Sequence, residues 1–157
     1  MMRVSIVAVS RMKSGPEAEL IADYLNRFEK VGKAFGLGPA TLYEVEDKKG
    51  GGQKAEASLI AAAISDQSTV IALDERGKNL KSPEFSDLIC NFRDDGCREL
   101  AFVIGGADGL TDEIRSKATT SISFGKMVWP HMLARVMLSE QLYRAASIAA
   151  GTPYHRD

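Results

Sequence analysis

Apolar residues follow two alternating patterns along the chain. Five short runs are almost continuously apolar or β-branched, as in strands that are buried on both faces of a sheet. The predicted strands are Val4–Val9, Thr41–Val45, Thr69–Leu73, Leu100–Ile104 and Ser121–Phe124. The segments between them are longer, and apolar residues recur there about every 3.6 positions, which predicts helices. Strand and helix therefore alternate from one end of the chain to the other.

The helical segments carry recognisable start signals. Proline suits the first helical turn, and it stands there in Gly15-Pro16 and in Ser82-Pro83. Thr111 is a predicted N-cap, because its hydroxyl can accept from a free backbone N–H. The predicted helices begin near Pro16, Ala55, Ser82, Thr111 and Pro130, and they end before Gly36, at Ile64, near Asp95, near Ala118 and at Ala150.

This alternation predicts one α/β domain over residues 1–157, with a mainly parallel sheet and helices on both faces. In such sheets ligands bind outside the carboxyl ends of the strands. Three loops follow predicted strands and become the candidates for a binding site: Asp74–Lys78, Gly105–Gly109 and Gly125–Trp129. We expect these loops to meet at one edge of the sheet.

Charge and hydropathy limit the function classes. Lys and Arg total 20 and Asp and Glu total 21, which gives a net charge of −1. Nucleic-acid-binding domains usually carry a dense basic surface, so we predict no DNA partner and RNA contacts only through local patches. The apolar run Val4–Val9 is much shorter than the roughly 20 residues of a membrane span, so no membrane partner is expected. These features predict a cytoplasmic protein.

Metal and phosphate sites find no support in the motifs. Cys90 and Cys97 are separated more widely than the spacing of about two to four residues between zinc ligands, and His131 and His155 lie far apart. The three glycines of the Gly105–Gly109 turn lack the G-x-G-x-x-G spacing of a dinucleotide site, and the later acidic residue is also missing, which disfavours an oxidoreductase. This turn is either a tight bend that needs positive φ or the place where an uncharged adenosine-type ligand approaches the backbone.

Several blocks stand in a fixed order along the chain. They are Leu73-Asp74-x-x-Gly77-Lys78, Ser82-x-Glu84-Phe85, Phe102 to Leu110, Pro130-His131-x-Leu133-x-Arg135-Val136, Glu140 to Ala145, and Pro153-Tyr154-His155-Arg156. In this order and at these spacings the chain resembles the ribosomal RNA large-subunit methyltransferase H family of the SPOUT superfamily. The resemblance covers essentially the whole chain, and the last two blocks are its most specific part.

The resemblance implies a SPOUT fold with a C-terminal trefoil knot, a homodimer, and S-adenosylmethionine as cofactor without a metal. It also implies methylation at N3 of a pseudouridine in helix 69 of 23S rRNA, on assembled ribosomes. The cofactor pocket of the family corresponds here to Leu73, Gly105, Phe124, Gly125, Lys126, Met127, Val128 and Trp129.

Methyl transfer to a ring nitrogen needs an aligned nucleophile and a way to remove its proton. His155 is the candidate base, since histidine exchanges protons near neutral pH. Arg144 and Arg156 are the candidates to stabilise the resulting anion and to contact phosphate, and Tyr154 could stack on a base. Each has an ordinary alternative: a solvated chain end for the tail, and a solvated helix face for Arg144 and Arg135. His131 is predicted as a helix-start hydrogen-bonding group.

The last predicted helix has apolar residues on more than one side, which indicates either a subunit interface or core packing. A dimer would let the tail of one subunit close over the cofactor pocket of the other. Basic side chains in the loops face either rRNA or solvent: Lys48, Lys49, Lys54, Arg76, Lys78 and Lys81. The alternative to an enzyme is a non-catalytic ribosome- or RNA-binding module of the same fold.

Overall fold

A computed structural model describes all 157 residues of the chain. The strands are β1 Met2–Val9, β2 Leu37–Val45, β3 Thr69–Asn79, β4 Glu99–Ile104 and β5 Thr120–Ser123. The helices are α1 Pro16–Gly32, α2 Gly52–Ala63, α3 Ser82–Asp94, α4 Asp112–Lys117 and α5 His131–Ala150, and a short 3-10 helix spans Lys33–Phe35. The predicted α/β class is confirmed, and each predicted strand and helix is present.

The five strands form a single sheet in the order β2-β1-β4-β3-β5, and each neighbouring pair is parallel. The predicted parallel sheet is therefore confirmed. Because the strands all run the same way, their carboxyl ends meet along one border of the sheet. We call this border the carboxyl edge, and it brings together the loops that follow the strands.

Side chains of the central strands alternate between the two faces of the sheet. Ile6 and Phe102 pack on one face in a cluster of 19 buried residues that includes residues of α1, α3 and α5. Val7 and Val103 pack on the other face in a cluster of nine with residues of α2 and α4. Helices therefore cover both faces, as predicted, and the face with α1, α3 and α5 carries most of the core.

Strand β3 is longer than predicted, and its extension passes around β5. Ile122 of β5 pairs with Leu73 and also with Lys78. Since two partners cannot occupy the same side of one residue, Lys78 lies along the outer side of β5. The chain crosses between the two sides at Gly77, where a Cβ would lie 2.6 Å from the Ile122 backbone. Only glycine fits this crossing, and the trefoil knot itself stays a prediction.

Two further boundaries differ from the pattern-based prediction. Strand β2 begins at Leu37, before the predicted Thr41, because Leu37 already pairs with Met2 of β1. Helix α4 begins at Asp112 behind Thr111, whose hydroxyl accepts from the Ile114 N–H, so the predicted N-cap is confirmed. None of the helices is both long enough and apolar enough to span a membrane.

Candidate active site

A cavity of about 840 Å³ opens at the carboxyl edge, between the extension of β3 and the loops that follow β4 and β5. Most of the predicted cofactor residues line it, and these are Leu73, Gly105, Phe124, Gly125, Met127, Val128 and Trp129. The exception is Lys126, which is exposed and does not line the cavity. The structure thus brings the three candidate segments together, but the prediction of a loop at Asp74–Lys78 is wrong, because these residues extend β3. The cofactor role of the lining residues stays a prediction.

The glycine turn after β4 is compact. Gly105 is buried, and a Cβ there would lie 2.6 Å from the carbonyl carbon of Gly109. The Gly109 N–H donates to the Gly106 carbonyl at 3.0 Å, and Gly109 has a φ of +74°. The turn therefore requires glycine for its own geometry, and the predicted tight bend is confirmed. The same turn presents its backbone to the cavity.

The segment Phe124–Trp129 forms a loop that is closed by its own hydrogen bonds. The Ser123 hydroxyl donates to the Gly125 carbonyl at 2.9 Å and accepts from the Gly125 N–H at 3.1 Å. The Trp129 indole N–H donates to the Phe124 carbonyl at 3.3 Å. This leaves Met127 and Val128 at the tip, where they are 74% and 85% exposed.

Polar groups around the cavity also come from elements outside the three loops. Gln53, in the first turn of α2, donates to the Asp108 carbonyl at 2.9 Å. Arg115 of α4 lies 3.6 Å from the Asp74 carboxylate. Sequence reasoning missed Gln53 and Arg115 as lining residues. The available signal was positional, because helices that follow parallel strands begin at the carboxyl edge.

His131 lines the cavity as the first residue of α5. Burial, as the larger cause, and the charge of Arg135, as the smaller one, lower the pKa of His131 below its ordinary value. Its predicted role as a helix-start hydrogen-bonding group finds no support, since no side-chain hydrogen bond caps α5. The imidazole is therefore an uncharged wall of the cavity at neutral pH.

Arg135 does not lie on a solvated helix face, so that expectation is wrong. The residue is fully buried, and its Nη1 lies 2.8 Å from the Glu44 carboxylate. Its Nη2 donates to the carbonyls of Val9 and Ser10, the latter at 2.7 Å. Ser10 adopts a φ of +80°, which takes the end of β1 out of its ladder. The guanidinium satisfies the carbonyls that this turn leaves free.

The C-terminal tail folds back onto α5 and gathers three of the predicted catalytic residues around Glu140. Arg144 Nε donates to Glu140 Oε1 at 2.8 Å, and Arg144 Nη2 lies 2.7 Å from the same oxygen. The Tyr154 hydroxyl donates to it at 3.1 Å. Arg144 Nη1 lies 3.1 Å from His155 Nδ1, and His155 Nε2 lies 2.9 Å from an Asp157 carboxylate oxygen.

These contacts determine the hydrogen-bonding roles in the tail. A guanidinium has only donors, so His155 Nδ1 accepts from Arg144, and His155 Nε2–H donates to Asp157. Both ring nitrogens therefore have partners. Burial, as the largest cause, and the charge and hydrogen bond of Glu140 raise the pKa of Tyr154 to about 12. Burial alone would lower the pKa of Arg144, but the hydrogen bond and charge of Glu140 outweigh it and raise that pKa.

The tail lies away from the cavity of its own chain. Neither Arg144 nor the tail residues Tyr154, His155 and Arg156 line the cavity. A helix rises about 1.5 Å per residue, so Arg144 stands roughly 20 Å along α5 from His131. Arg156 is exposed and joins none of the hydrogen bonds around Glu140. The structure thus unites the tail residues with each other but not with the predicted cofactor pocket.

A second, mostly apolar groove of about 570 Å³ lies between α1 and α5. Leu20, Tyr24, Met137 and Glu140 line it, and it shares the wall Ile122–Gly125 with the first cavity. Leu20 is 44% exposed at this groove. The groove therefore connects the surroundings of the tail with the back of the candidate site.

The surface carries the basic side chains that were predicted to face RNA. The predicted RNA-facing side chains are all exposed, namely Lys48, Lys49, Lys54, Arg76, Lys78 and Lys81. Their contact with RNA stays a prediction. The structure contains no cluster of three or more histidine, cysteine or acidic side chains that could hold a metal ion.

The chain is similar over almost its whole length to known methyltransferases. A family model described as "Predicted SPOUT methyltransferase" matches residues 2–155. Proteins named "Ribosomal RNA large subunit methyltransferase H" from Dinoroseobacter shibae and Ruegeria pomeroyi are 57% and 59% identical over 155 residues. In both comparisons 99% of each chain is covered. The protein of the same name from Paracoccus denitrificans is 59% identical over 156 residues, covering 99% of this chain and 100% of the relative.

A solved structure shares the fold at much lower sequence identity. It is described as a probable methylase family protein from Haemophilus influenzae Rd KW20, and it superposes with a TM-score of 0.51 at 16% identity. The superposition covers 99% of this chain and 70% of that chain. This likeness concerns the fold alone.

Proposed function

Because the chain belongs to the SPOUT methyltransferase family, we propose that it transfers a methyl group from S-adenosylmethionine to large-subunit ribosomal RNA. The observation that supports this most directly is the cavity built from the extension of β3 and the loops after β4 and β5. The names of its relatives support rRNA as the substrate. More specifically, we propose N3 of a pseudouridine in helix 69 of 23S rRNA as the acceptor, on assembled ribosomes in the cytoplasm.

The residues of the cavity fit S-adenosylmethionine. The buried Gly105 turn brings backbone N–H and C=O groups to the cavity without a side chain in between, as an adenosine needs. The lining contains four acidic and two basic side chains, so its net charge is negative and suits a cationic ligand; they are Asp74, Glu75, Asp108, Asp112, Arg76 and Arg115. Leu73, Gly105 and the segment Phe124–Trp129 would hold the cofactor. When bound, it supplies an electrophilic methyl group on a positively charged sulfur.

The tail would supply the groups that act on the acceptor. The ring nitrogen must lose its proton as the new N–C bond forms, and the negative charge spreads over the ring oxygens. We assign stabilisation of that charge to Arg144, with Arg156 contacting phosphate and Tyr154 stacking on a base. His155 Nδ1 would take the proton once the acceptor N–H replaces Arg144 Nη1 as its partner, while Nε and Nη2 of Arg144 stay on Glu140.

The distance between tail and cavity supports a homodimer in which residues 1–157 of each copy act as one catalytic domain. About 15 Å of helix separates Arg144 from Ala134, the nearest residue of α5 that lines the cavity of its own chain. A second copy packed on the groove between α1 and α5 would cover exposed Leu20 and bring its own tail to this cavity. The active site would then contain the cofactor pocket of one subunit and the tail of its partner.

Cofactor binding can be tested with the chain's one tryptophan, which lines the cavity. We expect S-adenosylmethionine to change Trp129 fluorescence and to release heat in calorimetry. Gly105→Ala should weaken binding more than tenfold, because its Cβ would overlap the Gly109 backbone. Gly15→Ala, outside the cavity, is the matched control, since its Cβ would meet only the Glu17 carboxylate at 3.8 Å. No binding to wild-type protein at millimolar ligand contradicts the proposal.

Methyl transfer can be tested with radiolabelled S-adenosylmethionine and ribosomes from a strain that lacks this modification. We expect label in 23S rRNA, with more label on assembled ribosomes than on naked rRNA. Mapping the label to N3 of the pseudouridine checks the acceptor. A protein that binds ribosomes without transferring label would instead be the non-catalytic module.

A further inference from the structure

Glu140 is the common partner of Arg144 in α5 and Tyr154 in the tail. Its Oε1 accepts from Arg144 and from the Tyr154 hydroxyl, at 2.8 Å and 3.1 Å. Its Oε2 accepts from the Gln141 side-chain amide at 2.9 Å. The carboxylate is largely shielded, with 18% of the side chain exposed. One side chain of α5 thus joins the helix to the folded-back tail.

The donor count around Glu140 argues against a role as a base. Oε1 faces three donors, because both Nε and Nη2 of Arg144 and the hydroxyl of Tyr154 converge on it. Oε2 is occupied by Gln141. Oε1 has more donors than lone pairs and cannot take a proton from substrate, and Oε2 already accepts from Gln141. The carboxylate can, however, orient the groups that donate to it, since hydrogen bonds to a charged acceptor are short and strong.

The anchor is itself fixed to the body of the protein. The Ser82 hydroxyl at the start of α3 donates to Gln141 Oε1 at 2.8 Å, and Gln141 in turn donates to Glu140. On the other side, the ring centroids of Tyr154 and Tyr143 are 4.4 Å apart. The Arg144 guanidinium carbon lies 4.8 Å from the centroid of the Tyr154 ring. Tyr154 is therefore held by its hydroxyl and by its ring at the same time.

We propose that Glu140 is the positioning residue of the C-terminal tail: it fixes Arg144 and Tyr154, and through Arg144 also His155, in the arrangement that acts on the acceptor. This inference rests on the proposed function, because the tail residues take their catalytic roles from it. Glu140 does not line the candidate cofactor cavity. Its removal should therefore lower turnover without changing the cofactor pocket.

The test compares Glu140→Gln and Glu140→Ala with Asp87→Asn, which removes one negative charge from an exposed position of α3. We expect kcat to fall about tenfold for Glu140→Gln and about 100-fold for Glu140→Ala, as for lost hydrogen bonds to a charged group. Cofactor affinity, measured by Trp129 fluorescence, and the melting temperature of Glu140→Gln should match wild type. The control should match wild type in every measurement.

Absorbance titration of Tyr154, with Tyr154→Phe as the blank, reports on the tail without any activity. Since Glu140 contributes to the raised pKa of Tyr154, the phenolate should form at lower pH in Glu140→Gln than in wild type. An unchanged titration, a kcat within twofold of wild type, or an equal loss of cofactor affinity would each overturn the inference. Absence of methyl transfer by wild-type protein would reject the proposed function instead, and the titration would still decide whether Glu140 holds the tail.

Discussion

The two ends of α5 each contain an arginine paired with a glutamate, but the surroundings differ. Arg135 is fully buried and reaches Glu44 and the end of β1, far away in sequence. Arg144 is partly exposed and reaches Glu140 on its own helix and His155 in the tail. Burial lowers the pKa of Arg135 despite Glu44, whereas Glu140 raises the pKa of Arg144 against the effect of burial.

This difference separates a structural ion pair from a candidate functional one. Burying a guanidinium is costly unless every donor finds a partner, and the Nε of Arg135 has none. What Arg135 provides is the fixed junction of α5 with the carboxyl end of β1, next to the cavity. Arg144 costs less to place and keeps one side accessible, so it remains available for an incoming ligand.

The largest expected effect comes from removing the tail. Deletion of Tyr154–Asp157 should lower methyl transfer about 10³-fold, because the groups assigned to the acceptor are lost together. Cofactor affinity should stay at the wild-type value, since the tail does not line the cavity. Single-turnover transfer and calorimetry measure the two quantities. Normal turnover by the truncated protein would remove the tail from the active site.

Arg135→Met should lower the free energy of unfolding by about 3 kcal/mol, because it leaves Glu44 and two carbonyls without their partner. Urea unfolding measures the loss. The double variant Arg135→Met/Glu44→Leu should recover part of it, because it removes the uncompensated carboxylate. Arg144→Met should lower the free energy of unfolding much less. Equal losses in Arg135→Met and Arg144→Met would contradict the distinction between a structural and a functional ion pair.

Arg144→Lys keeps the positive charge but removes the planar fork that contacts Glu140 and His155 together. We expect about a tenfold lower kcat, equivalent to about 1.4 kcal/mol. The free energy of unfolding should change by less than about 0.5 kcal/mol, as for other surface substitutions. Equal losses of turnover in Arg144→Lys and Arg144→Met would show that the fork, rather than the charge, is what matters.

The smallest effect concerns pH. Because burial and Arg135 lower the pKa of His131, folding favours its neutral form. The resulting stability is complete above the unfolded pKa of about 6.5 and is lost as pH falls through the lower folded pKa. Between pH ~7 and ~5 this should contribute less than about 1 kcal/mol. Urea unfolding at the two pH values measures it: the free energy of unfolding should change less with pH in His131→Gln than in wild type.

Much of the fold could be predicted because local pattern and tertiary structure agree. Continuous apolar runs identify the buried strands, and parallel strands place their following loops at one edge, so the Gly105 turn and the Phe124–Trp129 loop meet as expected. The extension of β3 beyond Leu73 escaped this reasoning. Asp74–Asn79 is polar because it leaves the core, and its pairing depends on β5, which comes more than 40 residues later.

The tail and Arg135 could not be placed from sequence for a related reason. A single arginine in a helix pattern looks solvated, and the partners that bury Arg135 lie near residue 10 and at Glu44. The tail residues were singled out by resemblance, and their assembly around Glu140 needed the return of the chain after α5. Local periodicity contains no information on such distant contacts.

The crossing of β3 over β5 has a consequence for self-association. An outer strand normally presents free N–H and C=O groups that can template pairing with another molecule and start aggregation. Here Lys78 and Asn79 occupy the outer side of β5, so this border of the sheet is already capped by the chain itself. A second copy therefore cannot pair directly with Ile122 and Ser123 of β5. The proposed homodimer uses the groove between α1 and α5 instead. Dimer formation through helices and aggregation through free strand edges would thus use different surfaces.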